Sequence, residues 1–153
     1  MDEVPVTVWR VGRNSDSLYL LVLRGESDQA LPMVIGPCEA MAIWSVLQER
    51  QEDPRRSMTH DLLRDLIERL GGRVVKVVID DLWNGVYYAK LHIAADSEVM
   101  TVDARPSDAV AVALRTKAPL FATDSVLAAA QEPETREEPR EEGPEGEIDL
   151  GDL

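Results

Sequence analysis

The feature that most constrains the fold is a pair of β-rich runs joined by Asn84-Gly85. Residues 73–83 (RVVKVVIDDLW) and 86–95 (VYYAKLHIAA) are rich in β-branched and aromatic side chains. Asn-Gly is typical of a type I′ turn, because both central residues of that turn take positive φ. A second turn at Asp96-Ser97 leads into the run 98–103 (EVMTVD). The sequence therefore predicts a three-stranded meander.

The chain before this meander is predicted to contain three short strands and a helix. Residues 4–11 and 17–24 are β-rich runs around a polar loop, which predicts an antiparallel hairpin. Residues 31–36 (LPMVIG) form a third short strand. The apolar period then becomes helical, and 38–50 is a predicted helix with Pro37 near its first turn.

Two further helices are predicted. One opens at Thr59, as its N-cap, and ends at Gly71-Gly72. We expect it to bury a single apolar stripe formed by Leu62, Leu63, Leu66, Ile67 and Leu70. The other runs from Pro106 through Thr116, and a short apolar piece and a last turn close the body near residue 130. This mixed order predicts an α+β fold, with an antiparallel or mixed β-sheet and about three packed helices.

Most of the negative charge lies at the C-terminal end. The formal net charge is −13, and residues 131–153 hold ten Asp or Glu and two Arg. Because this segment has almost no apolar residues, burial cannot offset its ordering entropy. We therefore predict a domain over 1–130 followed by a disordered acidic tail. The body is only mildly acidic, so it lacks the basic balance of a protein that holds DNA or RNA by phosphate neutralisation alone.

Cysteine content and hydropathy favour a cytoplasmic protein. A single cysteine, Cys38, excludes an internal disulfide and favours a reducing compartment. Its apolar, helix-forming surroundings predict a thiol that only packs. No stretch approaches the roughly 18 consecutive apolar residues of a membrane span, and the N-terminus lacks the apolar run of a signal peptide. We expect a soluble protein with no membrane partner.

No strong catalytic motif is present, which leaves carboxylates and a histidine as candidates. Glu39, Asp61 and Asp108 fall in the first turns of predicted helices, and Asp103 ends a strand. An anion at a helix N-terminus is favoured by about 0.3–1 kcal/mol, so each helical carboxylate could simply be a cap. Alternatively, carboxylates that converge could hold metal ions that activate water for phosphodiester hydrolysis. His60 could be a general base, a metal ligand or an exposed first-turn residue.

The densest group of polar candidates is DARPSDAVAVALR, residues 103–115. Arg105 could clamp Asp103 or Asp108 and lock the strand-to-helix corner. Alternatively, Arg105, Ser107 and the free helix amides could receive a phosphate while the carboxylates hold a metal. Physical chemistry alone favours the corner.

These residues resemble a known family signature. The run Asp103–Ala109, followed by Ala113-Leu114-Arg115 and Pro119, is similar to the signature of the bifunctional nuclease family. Three further matches keep order and spacing: LPMVIG with Glu39-Ala40, Pro54-Arg55 with Thr59–Leu63, and Asp81-Leu82 with Gly85 and Tyr88-Ala89. The resemblance covers nearly the whole body. It implies an α+β fold, DNase and RNase activity, and a homodimer.

The leading hypothesis is a metal-dependent nuclease that acts on DNA and RNA. The candidate ligands for Mg²⁺ or Mn²⁺ are Glu39, Asp61, Asp103 and Asp108. The three aspartates are also candidate catalytic residues. His60 is the candidate general base, and Arg105 and Ser107 are the candidate phosphate contacts. A second hypothesis is a non-enzymatic dimeric interaction or regulatory module, in which the carboxylates only cap helices and the acidic tail binds a basic partner. A third is that the tail masks the site as a nucleic-acid mimic.

Overall fold

The computed structural model describes residues 2–48 and 57–132, and within them one seven-stranded sheet carries four helices. The strands are β1 Glu3–Arg13, β2 Tyr19–Gly25, β3 Ala30–Ile35, β4 Arg73–Trp83, β5 Val86–Ala95, β6 Glu98–Ala104 and β7 Leu120–Thr123. The helices are α1 Pro37–Leu47, α2 Thr59–Arg69, α3 Pro106–Thr116 and α4 Asp124–Ala130. The predicted α+β class is confirmed. The fourth helix, α4, is the last turn that the sequence indicated near residue 130.

The meander forms as predicted, because its turns are determined locally. Asn84 and Gly85 have φ of 49° and 75°, as a type I′ turn requires. Asp96 and Ser97 have φ of 50° and 67° at the second turn. Strands β4, β5 and β6 then pair antiparallel in sequence order. The first hairpin, β1 with β2, is also antiparallel.

Strand β7 joins the two halves of the sheet. The strand order is β3-β2-β1-β7-β4-β5-β6, with β7 antiparallel to β1 and parallel to β4. In the sequence, this segment is recognisable only as a short apolar piece. Its Leu120 and Ala122 are buried in the core. Because β7 is central and β6 is an edge strand, α3 crosses the sheet between them.

Helix α3 is central to the helical layer. It contacts α1, α2, β4 and β5. The core under it combines strand and helix side chains, among them Leu21, Leu23, Val77, Ile79, Ile43, Val110, Ala113 and Leu127. Because α1 and α2 both pack on α3, the first turns of these helices can meet beside its first turn.

Helix α2 does not bury the stripe that its sequence predicts. His60 is buried and Ile67 packs against the core. Four leucines of the stripe are exposed: Leu62, Leu63, Leu66 and Leu70. The prediction was wrong because periodicity identifies an apolar face but not what covers it. The helix is instead held by polar contacts of His60 and Asp61 with α3.

Two predicted features lie wholly or largely outside the described residues. They are the last residues of the helix predicted over 38–50 and the acidic tail after residue 132. Disorder of that tail therefore stays a prediction. Within residues 2–48 and 57–132, no helix combines the length and the hydrophobicity that crossing a bilayer requires.

Candidate functional site

Polar side chains from the first turns of three helices meet around one arginine. Arg105 Nη2 donates to Glu39 Oε1 at 2.7 Å, and Arg105 Nε donates to Asp108 Oδ2 at 2.8 Å. The other oxygen of Asp108, Oδ1, lies 2.9 Å from His60 Nε2. These four residues are called the Arg105 cluster below. They bring together α1, α2 and α3, which are far apart in the chain.

Local sequence explains how α1 and α3 present their side chains. Arg105 has extended φ and ψ of −64° and 142°, the conformation favoured before a proline, and Pro106 begins α3. This start places Asp108 in the first turn, three residues from Arg105. In α1 the N-cap is Gly36. A Cβ on Gly36 would collide with the carboxylate of Glu39, so glycine leaves room for the Glu39–Arg105 contact.

The arginine is the accessible charge of the Arg105 cluster. Its side chain is 65% exposed, whereas those of Glu39 and Asp108 are 15% and 28% exposed. Hydrogen bonds to Asp108 and then to Glu39 raise the pKa of the Arg105 guanidinium. A molecule that approaches from solvent therefore meets a cation first. The guanidinium can bind a phosphate or a carboxylate by donating two hydrogen bonds to it.

The charge of Asp108 fixes the tautomer of His60. Burial alone would raise the pKa of the Asp108 carboxyl, but hydrogen bonds from Arg105 and His60 outweigh it and hold that pKa below its ordinary value. Asp108 is therefore ionised at neutral pH and can only accept, so His60 Nε2 must donate. In a neutral imidazole the other nitrogen, Nδ1, is then the proton acceptor.

Asp61 forms a separate, buried ion pair with Arg115. Arg115 Nε donates to Asp61 Oδ1 at 2.6 Å, and its Nη1 donates to a carbonyl oxygen in α1 at 3.0 Å. The other oxygen of Asp61 accepts from the backbone N–H of Met58 at 3.0 Å. Met58 is thus the N-cap of α2, not Thr59 as predicted. Arg115 thus links the three helices, and its pair with Asp61 positions the neighbouring His60.

Two further predicted site residues, besides Asp61, lie outside the Arg105 cluster. The side chain of Asp103 on β6 is 90% exposed, and Lys90 Nζ lies 3.6 Å from its carboxylate. Asp103 is paired in register with Lys90 of β5, and both side chains lie on the face of the sheet opposite the core. The corner interpretation of Arg105 is therefore right for Asp108 and wrong for Asp103. Ser107 is buried in α3. Its burial gives no support to the predicted phosphate contact.

The predicted metal ligands do not converge. Glu39 and Asp108 share one cation, which is Arg105, while Asp61 pairs with Arg115 and Asp103 lies beside Lys90. Within the described ranges 2–48 and 57–132, no three His, Cys, Asp or Glu side chains gather as a metal-binding group. These residues do not fit a divalent-ion centre in this arrangement.

A cavity that the sequence did not predict opens beside His60. Its volume is about 490 Å³. Eight residues line it: Pro37, Cys38, Met41, Ala42, Ser57, Met58, Thr59 and His60. It is called the His60 cavity below. Cys38 is exposed, so the prediction that this thiol only packs was wrong. The cavity walls come from two segments brought together by tertiary packing, so no local motif could signal them.

Comparison with known proteins decides the family. The family model described as the bifunctional nuclease domain matches residues 21–135, a span that includes the whole Arg105 cluster. The chain belongs to the bifunctional nuclease domain family. The resemblance inferred from the sequence motifs is thereby confirmed.

Similar proteins span bacteria and plants. An uncharacterized protein of Mycobacterium tuberculosis is 42% identical to this bifunctional nuclease domain over 130 residues, which are 85% of this chain and 76% of that protein. A protein named bifunctional nuclease 1 from Oryza sativa subsp. indica is 28% identical over 113 residues. That match covers 71% of this chain but 34% of the rice protein.

Proposed function

We propose that this domain hydrolyses phosphodiester bonds in DNA and RNA, and that the scissile phosphate binds at the Arg105 cluster. Membership of the bifunctional nuclease family supports a nucleic-acid substrate. One observation carries the location. A buried histidine held by an ionised aspartate, His60 with Asp108, lies next to the exposed guanidinium of Arg105. These are the parts that acid–base hydrolysis of a phosphodiester requires.

Each member of the Arg105 cluster has a distinct role in this proposal. His60 accepts through Nδ1 the proton of the attacking hydroxyl or water, and Asp108 stabilises the imidazolium that results. The bond from phosphorus to the leaving oxygen breaks, that oxygen takes a proton from solvent, and His60 returns its own proton to solvent afterwards. Arg105 neutralises the charge that develops on the phosphate oxygens. Glu39 keeps the guanidinium in place until the phosphate arrives. Asp108 and Glu39 are positioning residues, because they act through His60 and Arg105.

A requirement for Mg²⁺ or Mn²⁺ is a separate proposal. An ion held by Glu39 and Asp108 would have to replace Arg105 between them. Chelation tests the requirement. Loss of hydrolysis in EDTA, with recovery on adding Mg²⁺ or Mn²⁺, would support the ion. Full activity in EDTA would exclude it.

Substitution of His60 and Arg105 tests the assignment of the site. Highly purified wild type, His60→Gln and Arg105→Gln are compared on DNA and RNA oligonucleotides. We expect His60→Gln to lower kcat by at least about 100-fold, the contribution typical of general acid–base catalysis. Arg105→Gln is expected to lower kcat/KM. Unchanged hydrolysis by both variants would mean that the activity arises elsewhere.

We also propose that the exposed face of α2 contacts a second copy of this chain. Met100 and Val102 on β6 are exposed like the four leucines of α2. Met100 pairs in register with Ile93 of β5. The side chains of Ile93 and of Ile67 in α2 both lie close to Gly72, so Met100 is on the side of the sheet where α2 packs. This surface is called the α2–β6 face. An exposed apolar patch of this kind marks a contact surface.

A second copy suits the α2–β6 face better than an unrelated partner. The six apolar side chains expose on the order of 500 Å², so two copies would bury about 1,000 Å² from them alone, near the roughly 1,200 Å² at which stable interfaces begin. Strand β6 is an edge, and two such edges can pair antiparallel across a two-fold axis. Helix α2 carries charges of both signs, Asp65 and Arg69, which can pair across that axis.

Sedimentation of the full chain tests the dimer. Wild type is expected to have the mass of a dimer at micromolar concentration and Leu66→Glu that of a monomer. Val34→Glu, an exposed apolar position on the opposite edge strand β3, is the matched control. A monomeric wild type would overturn the dimer. If the purified protein does not hydrolyse nucleic acid but does dimerise through the α2–β6 face, the hypothesis of a non-enzymatic dimeric interaction module is favoured.

The remaining sequence predictions also stand as proposals. They are a basic protein partner for the acidic tail and a cytoplasmic location. Pull-down with and without residues 131–153 tests the first, and cell fractionation tests the second.

A further inference from the structure

The His60 cavity shares a wall with the Arg105 cluster. His60 lines the cavity and bonds Asp108. Pro37 and Cys38 line it too, and the next residue of α1 is Glu39, which holds Arg105. The cavity is therefore linked to Arg105 through His60 and Asp108 on one side and through Glu39 of α1 on the other. We infer that this cavity is a nucleobase pocket, so that the domain acts on nucleotides whose bases are unstacked, as in single strands. This inference rests on the proposed function.

The chemistry of the cavity wall fits a flat heterocycle. Pro37, Met41, Ala42 and Met58 give it apolar sides. Methionine sulfur packs favourably on aromatic rings and adapts to rings of different size. The hydroxyls of Ser57 and Thr59 supply hydrogen-bonding groups for a polar base edge. A nucleobase combines these two requirements, whereas an aliphatic side chain would leave the polar groups unpaired.

The size and the charge nearby favour a nucleotide as the occupant. A volume of about 490 Å³ lies within the roughly 300–1,000 Å³ typical of small-molecule sites. Among the described residues, the guanidinium of Arg105, which is 65% exposed, belongs to the cluster that shares His60 with the cavity. An apolar pocket with a cation next to it matches a base and its adjoining phosphate.

Occupation of the pocket determines which form of nucleic acid is cut. A base in a duplex must leave its stack and its pair before it can enter, which costs a few kcal/mol. A base in a single strand has little to lose. The inference therefore predicts that single-stranded DNA and RNA are hydrolysed faster than duplexes of the same sequence.

Binding can be tested without any assay of hydrolysis. The full chain, labelled with ¹³C at methionine methyl groups, is titrated with adenosine 5′-monophosphate, and the signals are assigned with single Met→Leu variants. We expect the methyl signals of Met41 and Met58 to shift through ring currents. Met33 in the core and Met100 on β6 are internal controls that should not move. Ribose 5-phosphate, which has no base, should leave Met41 and Met58 unchanged.

The single cysteine gives a second measure of occupancy. Cys38 is exposed and lines the cavity, so iodoacetamide labels one position of this chain. Saturating adenosine 5′-monophosphate should slow that labelling several-fold, and ribose 5-phosphate should not. No methyl shift together with no protection would overturn the pocket. Equal effects of the two probes would mean that phosphate, not a base, is bound.

Hydrolysis then separates this inference from the proposed function. Met41→Trp and Cys38→Phe are designed to fill the cavity from two positions, and Val34→Trp, at an exposed position on edge strand β3, is the control. Both filling variants should lower kcat/KM on single strands at least about tenfold. Equal cleavage of single and double strands, with no effect of filling, would overturn the pocket and leave the nuclease intact. No hydrolysis by wild type would overturn the nuclease, and the binding experiments would still decide the pocket.

Discussion

Replacing Arg115 by methionine tests how the three helices around the site are held together. The Arg115 side chain is 3% exposed and donates to Asp61 Oδ1 at 2.6 Å. Its Nη1 also donates to the carbonyl oxygens of Ala42 and Ala111, both at 3.0 Å. Methionine keeps most of the buried chain length but removes the charge and these donors. The lost interactions therefore dominate the change in the free energy of unfolding.

The expected loss of stability is large. Removing one partner of a buried ion pair costs about 3–5 kcal/mol. We expect the lower end, about 3 kcal/mol, because Asp61 is 15% exposed and keeps its hydrogen bond from Met58. Urea unfolding followed by circular dichroism gives the value by linear extrapolation.

Two controls accompany the measurement. Arg13→Met, at an exposed position at the end of β1, should change the free energy of unfolding by less than about 0.5 kcal/mol. Combining Arg115→Met with Asp61→Asn should cost less than the sum of the single changes, by about 1–3 kcal/mol. A loss below about 1 kcal/mol for Arg115→Met would refute the structural role given to this pair.

Three further predictions concern ionisation and packing. Burial raises the pKa of the Tyr87 phenol to about 12, so the folded chain binds that proton more tightly than the unfolded chain does. The stability that this group contributes is therefore lost as the pH rises from about 10 towards 12. Tyr87→Phe should remove the latest phase of the phenolate absorbance titration. The pKa of Asp108 is held below its ordinary value, so its contribution to stability is present above about pH 4 and disappears at lower pH. Asp108→Asn should then show a flatter acid limb in urea unfolding, and an unchanged limb would contradict this. Gly36→Ala should push the Glu39 carboxylate off Arg105, visible as a shift of the Arg105 Nη–H signals in ¹⁵N NMR, and unmoved signals would argue against that contact.

The parts of the fold that follow from neighbouring residues were predictable. Asn84-Gly85 sets its own turn, and the prolines at 37 and 106 mark the starts of α1 and α3. The contact between Arg105 and Asp108 joins residues three apart, so the sequence could identify it as one of two alternatives.

The rest depends on long-range packing that no local pattern encodes. Glu39 reaches Arg105 across 66 residues, and His60 reaches Asp108 across 48. The central place of β7 and the outward leucines of α2 have the same origin, because each depends on which elements stack together. In the sequence, Arg115 was part of the family signature but had no assigned role. Its buried pairing with Asp61 had no local signal.

The proposal that hydrolysis takes place at the Arg105 cluster is best tested by comparing the Asp108→Asn and Asp103→Asn variants. Asp108 holds His60 and Arg105, whereas Asp103 is an exposed aspartate on β6 outside the Arg105 cluster. Both variants are assayed on single-stranded DNA and RNA with protein purified side by side. If the Arg105 cluster is the active site, the kcat of Asp108→Asn is at least about 100-fold lower than that of wild type, whereas the kcat of Asp103→Asn is unchanged. Wild-type activity in Asp108→Asn, or an equal loss in Asp103→Asn, would contradict it.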